Sequence, residues 1–440
     1  MKVFLLGLLI AAPLFGGTQI RVATYNTSLA LTKKGDLSSS LRTGDSPQAR
    51  QVAEIIQLIE PDILVLNEFD YDAGSTALTR FHNNFLAVSQ NGRPAQTYPY
   101  RYTAPSNTGI PSGFDLDNSG SVDSTPGDIS YGNDSYGFGE FEGKYGMAVL
   151  SKYPLDTAAI RTFQLFKWAD MPNNVIPPGY YSTEEQAVFR LSSKSHWDVP
   201  ILVDGQRLHF LVSHPTPPVF DGAEDKNGRR NHDEIRLWSD YLSSTSSGYL
   251  TDDNGASGGL KGERFVIAGD QNSDPNAGDS FQNAINQLLL NPLVDASVTP
   301  ERTGTSAAST RFNTATFGLR ADYVLPSKAG FTNLGGAVFW PTGSDSGANL
   351  LSASDHRPVY MDLELDPFPE EILRDLEVSV TDGTATLSWK GLADANFAIE
   401  ASDDLFGWAP QNEPISFNSG TWSASFPSSQ ARRFLRVTSE

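Results

Sequence analysis

From residue 20 onward the chain is punctuated by short, continuously apolar runs, each attached to a polar residue with chemistry to offer. Residues 20–25 close on Asn26, 63–66 on Asn67-Glu68, 208–212 on Ser213-His214, and 265–268 on Gly269-Asp270. Residues 321–325 carry Asp322 within them, and the alternating Val359, Met361, Leu363 and Leu365 follow Asp355-His356. Unbroken apolar runs of this length read as buried strands, and the alternating one as a strand with one buried face. Between the first two, Ser46-Pro47 offers an N-cap and a first-turn proline. Val52, Ile55, Ile56 and Ile59 then recur at helical spacing until Pro61. Asp and Asn are depleted from strand interiors, so their repeated appearance beside apolar runs calls for a functional account. Polar residues gathered at strand ends are where α/β enzymes commonly build their sites.

Composition narrows the classes. The 440 residues include 38 Gly and 27 Pro, which favours a loop-rich sheet fold over a helical bundle. Asp and Glu outnumber Lys and Arg by 52 to 32, a net charge of −20 that opposes non-specific coating of polyanions. Cysteine is absent, which excludes disulfides, thiolate zinc sites, cysteine nucleophiles and a lipidated cysteine anchor.

Residues 1–18 read as a secretory signal: one lysine, a dozen or so mostly apolar residues, then small ones. The expectation is an exported protein, periplasmic or extracellular, with no stable membrane insertion. Residues 19–367 form the expected catalytic domain, ending at the proline-rich Asp366-Pro367-Phe368-Pro369. Beyond it, 376–380 and 385–389 flank Asp382-Gly383 as a hairpin, with further strand-like runs at 397–400, 421–426 and 433–437. Residues 372–440 thus suit a small accessory β-sandwich, fibronectin-III-like, able to attach the enzyme to a surface or polysaccharide.

Asn26, Glu68, Asp270, Asn272, Asp322 and Asp355, with His214 and His356, form an ordered set beside these strands. Hard oxygen donors suit Mg²⁺, Mn²⁺ or Ca²⁺ better than zinc, and two histidines offer proton transfer or hydrogen bonds to an anion. The set falls within Ala23-Thr-Tyr-Asn26, Pro61-Asp-Ile-Leu-Val-Leu-Asn-Glu68, Tyr145-Gly-Met-Ala-Val-Leu-Ser151, Leu211-Val-Ser-His214, Ile267-Ala-Gly-Asp-Gln-Asn272, Arg320-Ala-Asp-Tyr323 and Ser354-Asp-His-Arg-Pro358. In that order these motifs resemble the endonuclease/exonuclease/phosphatase superfamily, of the deoxyribonuclease-I-like kind. The resemblance implies a four-layer α/β sandwich, two sheets face to face with helices outside. It implies metal-assisted attack of water on a phosphomonoester or phosphodiester. By the same resemblance Glu68, assisted by Asn26 and Asp355, lies at the metal, and Asp270 and Asn272 handle the attacking water and the phosphate. His356 and His214 face the phosphate, and Asp322 orients His356. Which of Asp270, His356 or His214 is the base stays open, as does one metal or two.

Other segments carry lesser candidates. Asn231-His-Asp-Glu234 has capping-box spacing and reads as the opening of an amphipathic helix with Ile235, Trp238 and Leu242. Arg229, Arg230 and His232 nearby, and Lys144, are candidate ligands of the substrate phosphate. Asp115, Asp117, Ser119, Ser121 and Asp123 follow the spacing of a calcium loop with Gly120 at its sharp turn, although Pro126 stands where a bidentate glutamate belongs and Asp128 would have to substitute. His82, His196 and His209 read as structural or solvated. A nuclease would need basic and aromatic surfaces along a groove. A lipid phosphodiesterase would need an exposed apolar patch, for which 163–168 is the candidate. A non-catalytic binding protein on the same scaffold is the reading from a different class.

Overall fold

The computed structural model describes residues 17–260 and 262–366. In the C-terminal part it describes 374–381, 384–390, 397–402, 409–411, 414–418, 421–427 and 434–439. The expected signal sequence thus lies, but for its last two residues, outside the described residues, as does the proline-rich boundary after Asp366. Among the described residues no helix is long and apolar enough to cross a membrane.

Twelve strands build the larger part: β1 Gln19–Leu29, β2 Ile63–Phe69, β3 Tyr100–Tyr102, β4 Met147–Ser151, β5 Arg161–Thr162 and β6 His196–Val203 come first. They are followed by β7 Gln206–Ser213, β8 Phe265–Asp270, β9 Glu301–Arg302, β10 Asp322–Pro326, β11 Phe331–Val338 and β12 Val359–Leu365. Seven of them form a sheet in the order β3-β4-β2-β1-β12-β11-β9, and five a second in the order β10-β8-β7-β6-β5. Each apolar run is a strand, as its composition requires, but β1, β2 and β8 continue through the polar residues at their ends.

Side-chain alternation divides the central strands between an inner core and the outer ones. Val22, Val65, Val149, Val359 and Met361 of the first sheet meet Val199, Phe210, Val212, Val266, Ala268 and Val324 of the second. The opposite face of the seven-stranded sheet, with Ala23, Tyr25, Leu64 and Leu66, packs under Val52, Ile55, Ile56 and Ile59 of the helix Pro47–Ile59. Ser46 caps that helix by accepting from Ala49 N, with Pro47 in its first turn. The outer face of the five-stranded sheet, with Leu211, Ile267, Tyr323 and Leu325, packs under Ile235, Trp238 and Tyr241 of the helix Lys226–Tyr241. The result is the four-layer α/β sandwich. Phe163 and Trp168 are fully buried in this outer core, so 163–168 is not an exposed apolar patch.

The helix Lys226–Tyr241 begins well before Asn231, which corrects the capping-box reading. Asp221 accepts from Asn227 N at 2.7 Å and meets the need for an N-terminal acceptor. Asn231 and Glu234 therefore fall inside the helix, on its buried face.

In the C-terminal part, β13 Arg374–Thr381, β14 Thr384–Lys390, β15 Phe397–Ser402, β16 Ala409–Gln411, β17 Ser416–Asn418, β18 Thr421–Pro427 and β19 Phe434–Ser439 form two small sheets. Their orders are β13-β14-β18-β17 and β16-β15-β19, and Leu387, Trp389 and Ala424 of one share a core with Ile399 of the other. The expected hairpin is present, pairing Val380 with Ala385; its turn residues lie outside the described residues.

Candidate active site

The inward-facing positions of several strands turn polar at one end of the seam between the sheets. Val266 and Ala268 lead to Asp270, Val324 follows Asp322, Ile63 and Val65 lead to Asn67, and Ile20 and Val22 lead on through Thr24 to Asn26. A period of two thus carries both carboxylates and both amides into the same cleft. Glu68 is on the other parity. Its left-handed backbone, φ 52°, and a register irregularity between Asn26 and Leu29 of β1 redirect it toward Asn26. Asn272 is likewise left-handed at φ 51°, and such strain in bulky residues clusters at functional sites.

Asp270 is the hub. Its Oδ2 accepts from Asn26 Nδ2 at 3.1 Å and lies 3.5 Å from His214 Nε2 and 3.6 Å from His356 Nε2, while Oδ1 accepts from Asn272 N at 3.0 Å. The same Asn26 amide donates to Glu68 Oε1 at 3.0 Å. Asn67 Oδ1 accepts from Asp270 N and from Thr24 Oγ1, both at 3.2 Å, and stitches β2 to β8 across the seam. Within the five-stranded sheet Gly269 lets β8 lie close against the end of β7: a side chain there would place Cβ 2.0 Å from Ser213 O, and its φ is 148°.

His356 is held from its far side. Its Nδ1 is 2.9 Å from Asp322 Oδ2, which also accepts from Thr314 Oγ1 at 2.7 Å. Phe317, from the same loop as Thr314, is 53% exposed and stands edge-on to the imidazole with ring centroids 5.3 Å apart. Asp355 is exposed, and its Oδ1 accepts from Ser28 Oγ at 2.9 Å, tying it to the β1 segment that carries Asn26.

Electrostatics pull the two histidines apart. Burial alone would lower the pKa of His356, but Asp322 and Asp270 override it and raise it to about 10. His214 is held well below its ordinary value by burial, then by Lys194 and His356. Burial pushes Asp270 up, against the pull of His356.

Asp270, Asp322 and His356 bring ligand atoms within 4.8 Å of one another, and Asp322 Oδ1 and Asn67 Nδ2 are buried with no partner among the described residues. With Glu68 and Asp355 at the rim, the donor set is dominated by carboxylate oxygen, which fits a hard divalent cation. The four other candidates stand apart. Arg230 donates to the carbonyls of Leu191, Tyr136 and Arg190, and Arg229 to those of Glu224 and Val175. His232 pairs with Asp233 and packs on Phe281. Arg229, Arg230 and His232 thus serve the packing of the helix and are not brought to the cluster. Lys144 pairs with Glu140 at 2.6 Å and lies over Tyr145.

In the acidic loop, Asp115 and Asp117 meet Asp134, with ligand atoms within 4.8 Å. Asp123 instead accepts from Thr125 N and Ser130 Oγ, Ser119 donates to Asp115, and Ser121 offers only its carbonyl, to Ser119. The loop therefore departs from the linear spacing: Asp134, not Asp128, joins Asp115 and Asp117.

The family model described as endonuclease/exonuclease/phosphatase family matches residues 23–356. The chain belongs to this family. Its members are in general metal-dependent hydrolases of phosphoester bonds. No curated protein matches the sequence. Among solved structures the chain is similar to an endonuclease/exonuclease/phosphatase from Beutenbergia cavernae, at 20% identity and TM-score 0.47 over 96% of this chain and 92% of that one. It is also similar to sphingomyelinase C from Streptomyces griseocarneus, at 17% identity and TM-score 0.41 over 78% and 99%. A third is a beta toxin from Staphylococcus aureus with bound magnesium ions, at 14% identity and TM-score 0.40 over 79% and 100%.

Proposed function

We propose that the protein is an exported phosphoesterase that hydrolyses a phosphomonoester or phosphodiester with a divalent ion, Mg²⁺ or Mn²⁺, or Ca²⁺. The observation that carries this reading is Asp270, whose one carboxylate faces His214, His356 and Asn26 across the seam. Glu68, with Asn26 and Asp355, would hold the ion, which would draw negative charge off the phosphoryl group. His356, kept protonated by Asp322, donates to the phosphoryl oxygens as charge builds there. Asp270 accepts the proton of the attacking water, and Asn272, whose backbone N–H anchors Asp270 Oδ1, orients it. His214, kept neutral, completes the wall facing the phosphate. Phe317, 53% exposed beside His356, gives the mouth an aromatic edge suited to an organic ester group. That edge favours an extracellular nuclease as the second reading, since bases stack on exposed rings; the acidic surface opposes it.

The test is hydrolysis of bis(p-nitrophenyl) phosphate beside p-nitrophenyl phosphate, with Mg²⁺, Mn²⁺ or Ca²⁺ and with EDTA. Metal-dependent release of nitrophenol from either supports the reading. No release from these, nor from DNA, RNA or phospholipid, with folded protein would leave a non-catalytic binding protein. We also propose a structural Ca²⁺ on Asp115, Asp117 and Asp134, and attachment of the C-terminal part, as a fibronectin-III-like module, to a surface or polysaccharide.

A further inference from the structure

Lys194 lies in the polar stretch Ser192-Ser193-Lys194-Ser195 that leads into β6, and it is only 6% exposed. Its ammonium has one hydrogen-bond partner, the carbonyl of Pro215 at 3.5 Å, and forms no ion pair among the described residues. The same carbonyl accepts from Asn272 Nδ2 at 3.2 Å. The ammonium and the amide therefore converge on one oxygen, that of the residue directly after His214. Burial lowers the pKa of Lys194, against the pull of Glu234, Glu68 and Asp270, and Lys194 in turn lowers that of His214. It belongs electrostatically to the cluster, although no motif contains it.

The segment that carries it is rigid by construction. Glu234, fully buried inside the helix Lys226–Tyr241, accepts from Ser193 N with Oε1 and from Thr216 N with Oε2, both at 2.6 Å. One carboxylate thus clamps the loop of Lys194 to the loop of His214. Lys194 O accepts from Asn107 N at 2.8 Å. Gly137 packs so closely that a Cβ there would lie 1.8 Å from Ser193 O. Removing an ammonium from water without an ion pair costs several kcal/mol, and among the described residues nothing offsets that cost at hydrogen-bond distance except a long contact to one carbonyl. An anionic oxygen beside Asn272 would.

We propose that Lys194 is a catalytic residue, its ammonium binding a non-bridging phosphoryl oxygen of the substrate beside Asn272. The inference rests on the phosphoesterase reading above and supplies the fixed cation that Arg230 and His232 do not. A donor held in place before reaction stabilises the charge that develops on the phosphoryl oxygens, and losing one such donor lowers turnover by about 10²–10³.

The experiment compares wild type with Lys194→Met and Lys194→Gln. It measures turnover of the better nitrophenyl ester across a metal titration, and the melting temperature with and without inorganic phosphate. The expected result for Lys194→Met is a melting temperature no lower than wild type, since an unpaired buried charge is gone. Turnover falls about a hundredfold with the metal requirement unchanged, and phosphate no longer raises the melting temperature. Should Lys194→Met fail to fold, Lys194→Gln is read by the same criteria. Turnover within threefold of wild type, with phosphate protection intact, overturns the proposal while the phosphoesterase reading stands. A wild type inactive on both esters and on DNA, RNA and phospholipid, whose phosphate protection still disappears in the variant, overturns the phosphoesterase reading and the word catalytic but leaves an anion site at Lys194. Loss of both overturns both.

Discussion

Asp270 and Asp322 are register partners across the β8–β10 ladder, and their carboxylates take opposite nitrogens of one imidazole, that of His356. Two like charges paired across a ladder repel, and the protonated ring between them relieves that repulsion. The arrangement binds a loop residue from the seven-stranded sheet to two strands of the five-stranded one.

Replacing Asp270 or His356 by Ala is expected to cut turnover at least about a hundredfold, near 2.7 kcal/mol of transition-state stabilisation. Circular dichroism should show the fold retained. Near-wild-type rates in both variants would remove the cluster from consideration as the active site.

Glu68→Gln keeps the shape and the contact region of Asn26 but removes a charge from the proposed ion site. The metal concentration giving half-maximal rate should rise, with the rate at saturating metal less affected. An identical metal titration would place the ion elsewhere.

His209, outside the site, is expected to make stability fall at alkaline pH. Its Nδ1 lies 2.8 Å from Asp198 Oδ1 and its Nε2 2.5 Å from Glu263 Oε2. Burial would lower its pKa, yet the two carboxylates raise it to about 9. The folded pKa exceeds the unfolded value of about 6.5. Its contribution, on the order of 3 kcal/mol, is therefore fully present below that value and is lost as pH rises through about 9. Urea midpoints at pH 7, 8.5 and 10 should fall more steeply for wild type than for His209→Gln; parallel curves would show that the clamp carries no pH-dependent stability.

Calcium should raise the melting temperature of wild type, and Asp115→Ala with Asp117→Ala should abolish that rise. If calcium never shifts the parent protein, the acidic loop is a turn held by its own hydrogen bonds to Asp115, Asp123 and Asp134.

The strands and the residues at their ends were legible because apolar runs and a period of two are local properties, and they carried Asp270, Asp322 and Asn26 to one cleft. Glu68 was legible only as part of a motif: its parity points it away, and the turn that redirects it is a backbone conformation. Lys194 left no signal, because a serine-rich stretch has no periodicity and its meaning comes from Glu234, forty residues later on a helix. Asn231 and Glu234 misled as a cap because their spacing fits one, while Asp221 already supplies the helix's first acceptor. Arg230, a candidate phosphate ligand from its sequence, is buried with its guanidinium satisfied by three carbonyls that only tertiary folding brings near.

Because Asn26 and Glu68 ride on one sheet, Asp270 and Asp322 on the other, and the loop of His356 spans the two, neither sheet alone contains a working set of groups. Enzymatic turnover is then a reporter of intersheet docking. An intermediate with both sheets formed but their shared core not yet closed would keep its secondary-structure signal and be silent in the assay, so the rate at which activity returns on refolding times that closure.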